Sequence, residues 1–118
     1  MTRQERLRRQ AEARRWGLGI PQWWATIPGD TRRPVLVLTR ERFIPRLTSL
    51  LVAPVTTAVR RIPTEVTLGA EDGLPSRSAA SFDNLLTLHR ARFESFISRL
   101  PDERLDEVCL AYRFAAGC

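Results

Sequence analysis

The chain predicts a mainly β fold, a small barrel with one packed helix at its C-terminus. Three observations carry that prediction. From Gly17 onward, short apolar segments are separated by Gly, Pro, Asp and Asn, which is the punctuation of strands and turns rather than of long helices. Apolar residues recur at three- and four-residue spacing only in the last segment, between Pro101 and Gly117. The length of 118 residues suits one domain, which at this size buries roughly two-thirds of the surface its unfolded chain exposes.

Taken in order, Gln22–Ile27 reads as a strand closed by Pro28-Gly29-Asp30, and Pro34–Thr39 as a second, buried strand, so the domain opens like a hairpin. Ser49–Thr57 is apolar and β-branched; Pro54 within it fits a bulge or a strand edge. Between Ile62 and Leu68, the residues Ile62, Thr64, Val66 and Leu68 alternate with Glu65 and Thr67, the pattern of a strand buried on one face. Asp72-Gly73-Leu74-Pro75 marks a turn. Ser78–Phe82 then supplies a strand, Asp83-Asn84 a polar break and Leu85–Leu88 another apolar stretch, and Phe93, Phe96, Ile97 and Leu100 close the β region. Pro101 suits the first turn of a helix, and Asp102 and Glu103 complement its positive end. Leu105, Val108, Cys109, Tyr112, Ala115 and Ala116 form the expected apolar stripe, with Cys109 as a small buried hydrophobe. Residues 1–18 read as a basic, helical extension and residues 19–118 as the barrel domain.

Composition excludes several classes. An apolar fraction of 43% and a charged fraction of 27% match globular domains, not disordered ones. No run approaches the ~18 apolar residues of a membrane span, and the arginine-rich N-terminus lacks the apolar core of a secretory signal. Two cysteines are too few for a disulfide scaffold, so a reducing cytoplasm is the expected compartment. The net charge of +6 points to nucleic acid, yet it is uneven: six arginines against two glutamates in residues 1–16 hold +4 of it, leaving +2 for the rest. The tail is either a solvated extension or an arm that steers RNA. All nineteen basic residues are arginine, which suits bidentate phosphate contacts and equally a biased codon pool.

The single histidine, His89, has no carboxylate or cysteine at metal-ligand spacing, and neither a glycine-rich phosphate loop nor a nucleophile elbow is present. No metal or cofactor is expected. What remains is a set of phosphate-binding side chains at strand ends: Arg32-Arg33, Thr56-Thr57, and Ser78 with Asp83-Asn84. An arginine fork with a hydroxyl beside it would stabilise the charge that develops when an RNA 2′-OH attacks its own phosphodiester.

The order of four segments resembles the MazF/PemK family of toxin endoribonucleases: Gln22-Trp23-Trp24-Ala25, Arg33-Pro34-Val35-Leu36-Val37-Leu38, Val52-Ala53-Pro54-Val55-Thr56-Thr57 and Pro63-Thr64-Glu65-Val66. The resemblance implies an SH3-like barrel of the CcdB/PemK type, a homodimer that cuts single-stranded RNA (mRNA, tRNA or rRNA) without metal. The expected ends are a 2′,3′-cyclic phosphate and a 5′-hydroxyl. It further implies an antitoxin whose acidic C-terminal segment covers the RNA groove, and no membrane partner. By the same resemblance Arg33 and Thr56 match the two catalytic positions; Arg32, Thr57, Ser78, Asp83 and Asn84 are the expected RNA contacts. Two other readings stand beside it: a non-catalytic gyrase-poisoning toxin, which shares the barrel but has no need of Arg33 and Thr56, and an inactive RNA-binding homologue. The chain departs from the family pattern in three places: Thr26 stands where an acidic residue is usual, the linker Pro28–Arg32 is short, and Leu86 replaces an arginine.

Overall fold

The structure is a computed structural model that describes residues 2–4 and 19–117. The helical extension expected over 1–18 therefore lies, from residue 5 onward, outside the described residues, as does Cys118.

Seven strands and one helix follow: β1 (Ile20–Thr26), β2 (Arg32–Val37), β3 (Ser49–Thr56), β4 (Glu65–Leu68), β5 (Ser78–Ser81), β6 (Leu86–His89), β7 (Phe93–Leu100) and α1 (Leu105–Ala116). All pairings are antiparallel, in the order β4-β5-β3-β2-β1-β7, with β6 also on β3. The long strand β3 makes this possible by changing partners along its length. Its first half, Ser49–Val52, pairs with β6, and its last residues, Val55 and Thr56, pair with β5. The sheet consequently curls into a half-barrel with an apolar layer on each side.

One layer joins Leu36, Ala53, Val55, Leu68 and Leu100 to Val108 and Ala111 of α1; the other joins Ala25, Val35, Val37, Val52 and Leu88. Strand β2 thus has Leu36 in one core and Val35 and Val37 in the other, which is why its sequence is an apolar run rather than an alternation. A 3-10 turn at Glu41–Arg46, which the sequence pattern did not announce, brings Ile44 onto the second core. Arg90 holds that turn down by donating from Nη1 to the Ile44 and Leu47 carbonyls, 2.9 Å each.

Two expectations need correction. The strand expected from Ile62 begins only at Glu65, because residues 60–64 are drawn into a tight loop, and Ile62 is exposed. The helix stripe is also rotated. Val108 and Ala111 are buried, whereas Cys109 is exposed, as are Leu105, Leu110, Tyr112 and Phe114. Arg104, just before α1, ion-pairs with Asp72 and donates to the Thr67 carbonyl, and these ties set the helix's rotation where apolar spacing alone does not. No helix among the described residues is long and apolar enough to cross a membrane.

Gly19, just before β1, sits at φ +85°, and a Cβ built there would stand 1.5 Å from the Leu100 carbonyl oxygen. Gly19→Ala is expected to push β1 off β7 and destabilise the domain by more than about 1 kcal/mol. Thermal unfolding checks this: an unchanged Tm would contradict it.

Candidate active site

On the second-core face, where β3 passes from β6 to β5, lies an open cleft of about 350 Å³. Its wall is built by strand alternation. Val35 and Val37 point into the second core, so Arg33, two residues back along β2, projects from the same face at the strand's solvent end. The β2–β3 ladder pairs Val35 with Pro54; continued by two residues, it sets Arg33 across from Thr56. On the other side Arg33 faces Ala25, whose small buried side chain leaves the guanidinium room.

Arg33 is tied on one edge. The turn after β1 places Asp30, whose amide donates to the Ile27 carbonyl (3.0 Å), so that its carboxylate meets the guanidinium side-on: Nη2 donates to Oδ1 at 3.1 Å and Nε lies 3.0 Å from Oδ2. Nη1 donates at 3.4 Å to the Val55 carbonyl. A guanidinium has five N–H donors. With Nε facing Asp30, and one N–H of each Nη spent, one on Nη1 and one on Nη2 remain for an incoming anion. The Thr31 amide (2.7 Å) and then Arg33 hold the Asp30 carboxyl below the usual carboxylate range, so the pair stays charged at neutral pH.

Thr56 Oγ1 accepts from the Ala58 amide at 3.1 Å, which orients the hydroxyl and leaves its proton to donate. Asn84 lines the cleft and donates from Nδ2 to Ser81 Oγ at 2.8 Å, so its carbonyl oxygen and second N–H are open. Thr57 and Asp83, next in sequence to Thr56 and Asn84, are exposed and do not line the cleft, Asp83 accepting the Thr64 hydroxyl. The other two expected contacts stand elsewhere. Ser78 is buried at the far end of β5 with its hydroxyl on the Ser76 carbonyl. Arg32 occupies the opposite face of β2, its guanidinium 4.3 Å above the Trp24 ring and 2.9 Å from Glu94. Period-two alternation separates adjacent residues in this way. Glu94 also accepts the Thr26 hydroxyl, and those two partners, Thr26 first, lower its pKa, so a carboxylate does meet β1 at Thr26 although the residue there is not acidic.

Three ionisable lining residues escaped sequence reading: Asp30, Arg60 and Glu65. An aspartate three residues before the motif arginine was a visible signal for the first; nothing local announced that Arg60 would line the same cleft. Of the adjacent pair Trp23 and Trp24, Trp23 turns inward, edge-on to Phe93 and Phe96 at 6.3 and 5.6 Å. Among the described residues no three of His, Cys, Asp and Glu come together as a metal site.

The profile of the PemK-like, MazF-like toxins of type II toxin–antitoxin systems matches residues 23–114. The chain is 39% identical over 97 residues to a Mycobacterium tuberculosis protein named "Probable endoribonuclease MazF5", covering 81% of this chain and 89% of that protein. It is 40% identical over the same length to "Probable endoribonuclease MazF2" of the same species, covering 94% of it. Among solved structures, the Mycobacterium tuberculosis toxin MazF-mt6 superimposes with a TM-score of 0.78 at 37% identity, covering 82% of this chain and 96% of that one. A MazE–MazF structure from Deinococcus radiodurans superimposes at 0.68 with 28% identity, covering 86% and 95%.

Proposed function

Because the chain belongs to the PemK-like, MazF-like toxins of type II toxin–antitoxin systems, we propose that the Arg33–Thr56 cleft is where this endoribonuclease toxin cuts single-stranded RNA. The observation that carries the assignment is Arg33 set across from Thr56 with two guanidinium N–H donors unspent.

In the proposed reaction the 2′-oxygen bonds to the adjacent phosphorus and the bond from phosphorus to the 5′-oxygen breaks. The 2′-OH proton leaves and the 5′-oxygen gains one, giving a 2′,3′-cyclic phosphate and a 5′-hydroxyl. A guanidinium keeps its proton in a protein. Arg33 therefore acts as a fixed charge on the phosphate oxygens, strongest as they gain negative charge in the transition state. Thr56 donates its hydroxyl proton to the same group. Asn84 in the cleft, and the exposed Thr57 and Asp83, offer donors and acceptors to unstacked bases.

An antitoxin is the toxin's partner, as in the MazE–MazF structures of Deinococcus radiodurans. We propose that an acidic segment of it lies over the cleft and competes for the free edge of Arg33. A homodimer accounts for the exposed Leu110, Tyr112 and Phe114 on α1, and the cytoplasm is where toxin and RNA meet. Relatives named endoribonucleases favour cleavage over the gyrase-poisoning and inactive readings.

The test is to incubate the purified full chain with single-stranded RNA in EDTA and map both ends of each fragment. Cyclic phosphate and 5′-hydroxyl ends are expected. Absence of cleavage, or 5′-phosphate ends, would overturn the assignment, and gyrase inhibition without cleavage would replace it.

A further inference from the structure

The Pro63-Thr64-Glu65-Val66 segment has no part in the reaction above, yet Glu65 reaches the cleft. Residues 57–64, between β3 and β4, form no strand or helix but are tied repeatedly. The Val59 amide donates to the Thr57 carbonyl and the Glu65 amide to the Ile62 carbonyl, 3.0 Å each. One carboxylate oxygen of Glu65, Oε1, accepts from the amides of both Arg60 (2.9 Å) and Arg61 (3.1 Å).

Two successive amides converge on one oxygen, and the second belongs to Arg61, which sits at φ +56°, the single positive φ outside glycine among the described residues. That left-handed conformation strains an L-residue, and a concave pair of successive N–H groups beside it is an arrangement that binds anions. Here the anion is the protein's own Glu65. The pull of that carboxylate on the amides offsets the strain and places Arg60 on the cleft wall with Arg33 and Thr56.

Charge accounting gives Arg60 its role. Four ionisable side chains line the cleft: Asp30, Arg33, Arg60 and Glu65. Asp30 faces Arg33, and Glu65 faces backbone amides. Arg60 has neither an ion pair nor a side-chain hydrogen bond among the described residues, so it is the one cation in the lining whose guanidinium donors are all unspent. We propose that Arg60 binds a backbone phosphate of the RNA next to the one being cut, and that Glu65 is the positioning residue that holds it there. This rests on the RNA-cleaving function proposed above.

The probe is a single-stranded RNA oligonucleotide with 2′-deoxyribose at the mapped cleavage position, titrated against the full chain at several salt concentrations. R60A is expected to weaken binding several-fold and to lower the slope of log affinity against log salt by about 0.7, the loss of one single-strand phosphate contact; R60K retains both. Glu65→Ala should weaken binding similarly in the wild-type background and add nothing in the R60A background, while E65Q, which keeps an acceptor oxygen, restores affinity. An unchanged salt slope in R60A overturns the phosphate contact, and fully additive effects of Arg60→Ala and Glu65→Ala overturn the positioning role. If the wild type neither cuts nor binds RNA, the functional reading itself fails; if it does both and R60A is indifferent, this inference alone fails.

Discussion

Arg33→Ala is expected to lower kcat on single-stranded RNA by on the order of 10²-fold or more, the scale seen when a preorganised donor to transition-state charge is removed. The geometry makes the loss specific. Asp30 and the Val55 carbonyl hold the guanidinium, and its remaining donors face the cleft. The scissile phosphate gains negative charge as the 2′-oxygen attacks, so a donor already in place stabilises the transition state more than the bound substrate. Removing it should therefore depress kcat more than it raises KM. Lysine does not substitute, because a single ammonium offers no planar fork that can hold Asp30 on one edge and phosphate on another. Stability should hardly move. The Arg33–Asp30 pair is partly exposed, at 27% and 39% of the side chains, and such pairs contribute about 0–1 kcal/mol. Steady-state cleavage of one defined oligonucleotide, with thermal unfolding as the control, checks both halves; full activity in R33A would remove Arg33 from the mechanism.

Asp72→Ala is expected to have the opposite profile, a destabilisation of about 3 kcal/mol, at the lower end for breaking a buried ion pair because Arg104 keeps some contact with water. The Asp72 side chain is 2% exposed; Oδ1 accepts from Arg104 Nη1 at 2.9 Å and Oδ2 from the Gly69 amide at 3.0 Å. The same residue's carbonyl accepts from Gln22 Nε2 (2.9 Å) and Ser98 Oγ (2.6 Å), so one position joins β1, β7, the turn before β5 and the start of α1. Removal of the carboxylate leaves Arg104 Nη1 and the Gly69 amide without their acceptor, while Glu107 and the Thr67 carbonyl still hold the rest of the guanidinium. The loss is a large fraction of the roughly 5–15 kcal/mol that holds a domain together. Urea unfolding measures it, and a change below about 1 kcal/mol would show that the network relaxes around the gap.

The two substitutions show what kinds of information were legible. Strand positions were readable because alternation and turn residues are local: β1, β2, β3 and β5 lie within a few residues of where their patterns put them. The helix was readable too, but not its facing, since Leu105 and Cys109 obey the spacing of a stripe that Arg104 and Asp72 rotate into solvent. Arg33 and Thr56 were legible only through a familial resemblance. Arg32, its neighbour in sequence, ended on the far side of the sheet. Net charge misdirected the reading, because +4 of the +6 lies in residues 1–16, whereas the cleft depends on how a few charges pair.

By itself, then, the sequence determined the strands, their order along the chain and the terminal helix, and it marked Arg33 and Thr56 as candidates. Each follows from contacts between near neighbours or from a resemblance carried by contiguous residues. Only the tertiary structure decided that Asp30 occupies one edge of Arg33, that Glu65 draws Arg60 to the same cleft, and that Ser78 and Arg32 stand away from it. Those facts depend on ladder register and on β3 changing partners between β6 and β5. Register is settled by burying two apolar layers across the whole sheet at once, so no local stretch of residues encodes it.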